Sequence, residues 1–269
     1  MLLEQYIFEV LKMNDASSIS NLANYLNDNR EELIKSISYS NDYDHSYLDN
    51  FIKSCDNRIE FISSGAFRIV YSIPGEEWVL KIACEFDEVI DLESSGIESN
   101  IGEIEISEGK HGLAARDVFV RVYDYDRVDK YPYWMICQKV VPLNKINDLE
   151  VLKKVFPTFW NMMHEKEGSR ETAVDFRSMI ENTLMNFAYY GGGSNKSSKE
   201  NFYDAADSSQ VDCIDFEDVV FYEDFRKISS AFAYIRSEDM HEGNFGLTSL
   251  KNPSPESIVI LDFSTDYHI

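Results

Sequence analysis

The most informative part of the chain is Ser237-Glu-Asp-Met-His-Glu-Gly-Asn-Phe-Gly-Leu247, followed by Ile258-Val-Ile-Leu-Asp-Phe-Ser264. Asp239 and Asn244 stand five residues apart, and Asp262 follows Asn244 by eighteen residues. The pattern predicts a loop and then a buried strand that ends at Asp262. Carboxylate and amide oxygens are hard ligands, so we expect Asn244 and Asp262 to bind Mg²⁺. Asp239 is then available to accept the proton of an attacking hydroxyl.

Two features that lie earlier in the chain also fit phosphate chemistry. A turn containing Gly65 separates two apolar runs, and small turn residues let backbone amides approach a triphosphate. Lys81 follows sixteen residues later inside the apolar run Trp78–Ala83, where a nucleotide phosphate could be its charged partner. A simple hairpin glycine and an outward-facing lysine on an edge strand are the structural alternatives.

A carboxylate further along the chain is needed to hold such a lysine in place. We expect Glu103 to take this role, and Glu105 and Glu108 compete for it. The alternative is that these glutamates belong to a solvated acidic face.

The segment Asp239-Met-His-Glu-Gly-Asn244 resembles the catalytic loop Asp-Leu-His-Pro-Gly-Asn of the aminoglycoside and choline phosphotransferases. Four of the six positions are identical, and Met240 is a conservative replacement. With its other motifs, the chain from about Ile59 to Asp266 is similar to the protein-kinase-like superfamily. The resemblance implies an α+β, two-lobed fold. A small antiparallel-sheet N-lobe would carry one helix, the C-lobe would be mostly helical, and ATP with Mg²⁺ would lie between the lobes.

The resemblance also implies roles for individual residues. The turn residues would cover the phosphates, the lysine would contact the α- and β-phosphates, and the glutamate would anchor the lysine. The backbone after the last N-lobe strand would meet adenine. The implied nucleotide-binding residues are Gly65, Ala66, Phe67, Lys81, Glu103, Gln138 and Val140. Asp239 would be the catalytic base, with Asn244 and Asp262 as metal ligands.

Some positions depart from the family pattern. The glycine-rich loop has one glycine, Ser237 stands where a histidine is usual, and Asp262-Phe-Ser264 lacks the usual glycine. Because Ile269 is only seven residues beyond Asp262, we expect no activation segment. Substrate selection would then depend on the N-terminal helices or on an acidic insert over residues 191–224. This compact arrangement is similar to kinase-like proteins of phages and bacterial mobile elements.

The patterns and the resemblance together divide the chain into three parts. Residues 1–54 form a helical N-terminal extension, residues 55–142 the N-lobe, and residues 143–269 a truncated helical C-lobe. Apolar residues at three-to-four spacing predict the helices of the first part. The stretch Ser18–Lys35 also has the rhythm of a DNA-binding helix-turn-helix, but its acidic residues favour helices that pack on the protein itself.

Short apolar runs separated by turn residues predict one antiparallel sheet in the second part. The runs are Ile59–Ile62, Arg68–Ile73, Trp78–Ala83, Val118–Tyr123 and Tyr133–Val140. Asn100–Glu108 alternates as a strand does, yet it stands where a helix could pack on the sheet, so its pattern is ambiguous. Helices are predicted after Pro142, with a flexible loop over Gly191–Lys199 and a last helix over Phe225–Ile235.

Composition limits the classes of partner and the compartment. The 269 residues include 25 Lys and Arg against 48 Asp and Glu, for a net charge of -23. Such a charge disfavours direct nucleic-acid binding and docking on anionic membranes. We expect a cytoplasmic protein, in the host cytoplasm if the gene is a phage's, because a basic leader and a long apolar segment are both missing.

The four cysteines lie far apart and lack the spacing of a zinc site or a disulfide framework. We expect reduced thiols, with Cys84 and Cys137 in the core.

Three functions remain open from the sequence. The leading hypothesis is an ATP- and Mg²⁺-dependent kinase that transfers the γ-phosphoryl group to a hydroxyl, on a protein rather than on a small cationic molecule. The second is a pseudokinase that acts as a binding module for a basic partner. The third is an acidic decoy that imitates the charge of DNA.

Overall fold

The computed structural model describes residues 17–40, 44–65, 67–84, 96–128, 130–167, 172–191, 222–232 and 242–261. It is a mixed α+β protein that divides into two compact units. Unit 1 comprises Met1–Ile104 and Arg121–Lys139, and unit 2 comprises Glu105–Val120 and Val140–Ile269.

Within the described part of unit 1, five strands form an antiparallel sheet. They are β1 Glu60–Ser64, β2 Arg68–Ser72, β3 Trp78–Ala83, β4 Val122–Tyr125 and β5 Trp134–Gln138. Their order in the sheet is β1-β2-β3-β5-β4, so β3 is hydrogen-bonded on both sides. Apart from Lys81 the sequence of β3 is apolar, and every residue except Val79 is buried, which suits its central place in the sheet.

Side chains that face each other across paired strands share one face of a sheet. Lys81 of β3 lies opposite Val70 of β2 and Met135 of β5, so these three define one face, here called the lysine face. The opposite face, here called the helix-covered face, carries Leu80 with its cross-strand partners Tyr71 and Ile136.

Three helices cover that second face. Residues 17–28 (α1), Arg30–Ser38 (α2) and Ser46–Cys55 (α3) bury apolar side chains against it, among them Leu22, Leu26, Leu33, Leu48 and Ile52. Full burial of one apolar side chain of this size stabilises the folded state by about 1.5–3 kcal/mol relative to leaving the side chain exposed. Polar contacts fix the helices: the Trp78 indole donates to Ser18 at 3.0 Å, and the Tyr71 hydroxyl donates to Asp49 at 2.7 Å. The prediction of helices that pack on the protein itself is confirmed for residues 17–38 and 46–55.

The ambiguous stretch around Asn100 is helical. It belongs to α4, Gly96–Ser107, which buries Ile97, Ile104 and Ile106. The prediction of a strand over Val118–Tyr123 is wrong in its first part. Leu113–Val118 forms the helix α5 and the strand β4 begins only at Val122, because Phe119 makes a parallel bridge to Ile260 instead.

Unit 2 contains helices and a small second sheet. The remaining helices are α6 Leu149–Val155, α7 Pro157–Glu167, α8 Ala173–Gly191 and α9 Tyr222–Phe232. The strands β6 Val141–Pro142, β7 Phe245–Leu247 and β8 Ile258–Ile260 are antiparallel in the order β6-β7-β8. The core of the unit is rich in phenylalanine, with Phe156, Phe159, Phe176, Phe225 and Phe245 all buried.

The helices predicted after Pro142 are confirmed where they are described. The loop predicted after Gly191, the acidic insert and residues 233–235 of the last predicted helix lie outside the described residues. Cys84 and Cys137 are buried free thiols, as predicted, whereas Cys213 also lies outside. In the part of the chain that the structure describes, no helix combines the length and the apolar character needed to cross a membrane.

Candidate functional site

Lys81 is held inside unit 1 by its place on the central strand. Its cross-strand neighbours are Val70 and Met135, and its residue is 8% exposed. An ammonium group withdrawn this far from water needs charged or hydrogen-bonding partners.

Glu103 is such a partner. The Nζ atom of Lys81 lies 2.9 Å from Oε1 and 2.8 Å from Oε2 of Glu103, which is 2% exposed. The two other glutamates considered from the sequence lie elsewhere, since Glu105 and Glu108 both contact Lys110, at 3.2 and 3.4 Å. Of the three, the structure therefore brings Glu103 to the lysine.

Sequence reasoning missed a third member of this cluster. Arg68, at the start of β2, donates from Nη1 to Oε1 of Glu103 at 2.5 Å and is 6% exposed. In the β2–β3 register Arg68 lies opposite Ala83, two residues beyond Lys81, so both cations are on the lysine face. The alternation of β2 could have indicated this, but a charge at the beginning of a strand usually faces solvent.

The electrostatics of the cluster follow from burial and from the two cations. Burial by itself would raise the pKa of Glu103, but the charges and hydrogen bonds of Arg68 and Lys81 hold it below its usual value. The carboxylate is therefore ionised at neutral pH. Two cations thus surround one ionised carboxylate on the lysine face.

Cys137 lies on the same face, opposite Val79. Complete burial raises the pKa of its thiol to about 12, so this cysteine is an inert apolar group and not a nucleophile.

The turn between β1 and β2 contains the residues expected to cover the phosphates. The Gly65 N–H donates to the Arg68 carbonyl at 2.8 Å, and the Phe67 carbonyl accepts from the Cys84 N–H at 2.8 Å. The side chain of Phe67 is exposed, and Ala66 lies outside the described residues. A Cβ added at Gly65 would meet the Arg68 carbonyl only at 3.9 Å, so the turn itself does not require glycine there.

A second glycine beside this turn is required. A Cβ at Gly96, the first residue of α4, would overlap the Phe67 carbonyl and meet the Cα of Ala83 at 3.1 Å. Gly96 therefore lets α4 begin directly against the β1–β2 turn and the end of β3.

The chain passes from unit 1 to unit 2 between Lys139 and Val140, beside the residues expected to meet adenine. The N–H of Gln138 donates to the Arg121 carbonyl at 2.8 Å, and the N–H of Lys139 donates to the Glu77 carbonyl at 2.9 Å. A contact of Gln138 with adenine would therefore use a group other than its N–H.

In unit 2, Asn244 ends a 3₁₀ turn, Glu242–Asn244, directly before β7. It is 5% exposed, and its carbonyl accepts from the Leu261 N–H at 2.8 Å. Pairing of β7 with β8 thus places Asn244 beside the residue that precedes Asp262. Close packing of the small sheet supports this, because a Cβ at Gly246 would meet the Val141 carbonyl at 2.8 Å.

The remaining residues of the expected metal and catalytic set, Asp239 and Asp262, lie outside the described residues. Among the residues that are described, no cluster of three or more His, Cys, Asp or Glu could hold a metal ion. Of the expected metal ligands, the structure therefore describes only Asn244, whose side-chain amide carries an oxygen of the hard type that Mg²⁺ prefers.

No protein-family model matches this chain, and a search of the curated proteins finds no significant match.

Proposed function

We propose that this protein is a kinase-like phosphotransferase that uses ATP and Mg²⁺ to phosphorylate a hydroxyl group on a protein. The observation that carries the proposal is the buried contact of Lys81 with Glu103 between the central strand β3 and the helix α4. A lysine fixed in this way is a preformed phosphate ligand, because its direction is set before the anion arrives.

The residues of unit 1 would bind the nucleotide. Glu103 holds the Lys81 ammonium group through both of its carboxylate oxygens, and from this position the ammonium group would contact the α- and β-phosphates. Arg68 adds a second positive charge to the same face, at the foot of the Gly65 turn. The turn residues Gly65, Ala66 and Phe67 would cover the phosphates through groups other than the Gly65 N–H, which is bonded to the Arg68 carbonyl.

The chain continues from unit 1 through the connector that would hold the base. Gln138 and Val140 would contact adenine through backbone groups other than the bonded Gln138 N–H. The half-buried Val70 and Val79 on the lysine face offer an apolar surface that an aromatic base could cover.

The residues of unit 2 would supply the metal site and the base. Asn244 and Asp262 would bind Mg²⁺ through the amide and carboxylate oxygens. When bound, the ion would neutralise charge on the phosphates. Asp239 would orient the acceptor hydroxyl and remove its proton as the bond to phosphorus forms.

The alternative is a pseudokinase, which the Gly65–Arg68 turn supports because the turn has a single glycine and its Gly65 N–H is already bonded to the Arg68 carbonyl. An assay of ATP consumption that uses Asp239→Ala distinguishes it from the enzyme. The control is Asp117→Ala, which removes an exposed carboxylate of α5. If the protein is an enzyme, the wild type and Asp117→Ala should consume ATP and Asp239→Ala should not. Both variants should still bind nucleotide. Nucleotide binding without turnover in the wild type would support the pseudokinase.

The nature of the phosphate acceptor is tested separately, with labelled ATP. Labelled phosphate should appear on protein when the enzyme is mixed with protein substrates. Labelling only of small cationic hydroxyl compounds, such as aminoglycosides, would contradict the protein acceptor and keep the phosphotransferase.

A further inference from the structure

The helix α2 covers the sheet and also contacts the loop between β4 and β5. Arg30, at the start of α2, donates from Nε to Oδ2 of Asp126 at 2.8 Å and from Nη2 to the Tyr131 carbonyl at 3.2 Å. Its guanidinium also lies over the Tyr133 ring, 5.1 Å from the centroid. A planar guanidinium is suited to such a multiple contact, which a lysine could not reproduce.

Asp126 is the residue around which this loop closes. Its side chain is fully buried beside Arg30, and it accepts from the N–H groups of Val128 at 3.1 Å and Tyr133 at 3.3 Å. Removing Arg30 would leave a buried carboxylate without this cation, so the loop depends on α2 for its conformation.

The same loop holds α4. The side-chain amide of Asn100 donates to the Pro132 carbonyl at 2.9 Å, and Asn100 is wholly buried. Asn100 and Glu103 are three residues apart on α4, so they lie on the same side of the helix. The hydrogen bond to Pro132 therefore anchors the part of α4 that carries Glu103, the partner of Lys81.

We propose that α2 clamps the β4–β5 loop through Arg30 and Asp126, and that the loop in turn sets α4 through Asn100 so that Glu103 stays on Lys81. Arg30 and Asn100 are then positioning residues. The consequence for nucleotide binding rests on the function proposed above, whereas the linkage within unit 1 does not. All of its contacts lie inside that unit.

Hydrogen–deuterium exchange of the full chain tests the linkage directly. Arg30→Met should speed exchange of the amides in both the β4–β5 loop and α4 by about tenfold. Asn100→Ala should have that effect on α4 while the loop stays protected. The double variant should exchange in α4 no faster than the faster single variant, since both act through one connection.

The matched control is Arg58→Met, which removes an arginine from the exposed pair with Asp56 in the same unit and should leave α4 unchanged. If Arg30→Met does not fold, Arg30→Lys should give a smaller increase in the same two segments. Unchanged exchange in α4, or an equal increase across β2 and β3 as well, would overturn the proposal.

Nucleotide titration of the same variants separates this proposal from the proposed function. Arg30→Met should weaken ATP·Mg²⁺ binding by about fivefold and Arg30→Lys by less, because each releases Glu103 from Lys81 only part of the time. Unaltered affinity in Arg30→Met would contradict the positioning role. A wild type that binds no nucleotide would overturn the proposed function, and the exchange pattern would then decide the linkage by itself.

Discussion

Lys81 and Glu103 meet as a buried ion pair in which the ammonium group lies 2.9 and 2.8 Å from the two carboxylate oxygens. The same carboxylate also binds Arg68. Glu103 thus binds one cation from β2 and one from β3. Both the stability of unit 1 and the positions of the two cations on the lysine face depend on this carboxylate.

Replacing this carboxylate should be costly. Glu103→Gln would leave Lys81 and Arg68 buried without their shared counter-charge, so we expect the free energy of unfolding to fall by about 3 kcal/mol or more. Urea denaturation of the full chain measures this loss. Glu105→Gln is the matched control, because its pair with Lys110 is partly exposed and should contribute less than about 1 kcal/mol. Equal losses in the two variants would contradict the importance of the buried cluster.

The same pair predicts a pH dependence. The folded-state pKa of Glu103 lies below its usual value of about 4.3, so the ion pair stabilises the fold fully above that pH. The contribution is lost as the pH falls through the folded-state pKa. The difference in unfolding free energy between wild type and Glu103→Gln should be constant near neutral pH and should shrink below about pH 4. A difference that grows with acidification would show that the sign is wrong.

Two glycines near the β1–β2 turn should differ in how strongly replacement by alanine destabilises the protein. Gly96→Ala places a methyl group against the Phe67 carbonyl and should destabilise the protein by about 1–3 kcal/mol, although alanine favours a helix. Gly65→Ala has room for the added methyl and should change stability by less than about 1 kcal/mol. Thermal unfolding of both variants measures the contrast, and a larger loss at Gly65 would refute it.

Asp224 should contribute to stability mainly through the backbone hydrogen bond that it accepts. It is buried on α9, and its Oδ2 accepts from the Phe159 N–H in the first turn of α7 at 2.7 Å. Burial raises the pKa of its carboxyl above the usual value, and the hydrogen bonds from Phe159 and Thr158 oppose that rise. Asp224→Ala should cost about 1–2 kcal/mol, as loss of a helix cap does, whereas Asp224→Asn keeps an acceptor and should cost less. Equal costs in urea denaturation would contradict this.

Within unit 1, the sequence predicted those helices and strands in which the apolar residues of the local pattern are the residues that the fold buries. The apolar run around Lys81 identified β3, and the three-to-four spacing in the N-terminal region identified its helices. In these elements the residues that pack into the core are also the apolar ones. The sequence period of the helix or strand is therefore visible as a period of apolar residues.

Long-range contacts explain what the sequence could not predict. Asn100–Glu108 alternates like a strand, but Gly96 lets the segment begin as a helix directly against the β1–β2 turn. The alternation of β2 places Arg68 on the face of Val70, but its partner Glu103 lies 35 residues away, so the sequence alone did not indicate their contact. The strand β6 has two residues and exists only through its pairing with β7.

The most direct test of the proposed nucleotide site is a thermal-shift titration with ATP and Mg²⁺ on wild type and on Asp262→Ala, with Glu105→Gln as control. A ligand that binds only the folded state adds about 2.7 kcal/mol at a hundred times its dissociation constant. The account predicts a Mg²⁺-dependent rise in the unfolding temperature of wild type and Glu105→Gln that is lost in Asp262→Ala. No rise in wild type, or an equal rise in all three proteins, would contradict it.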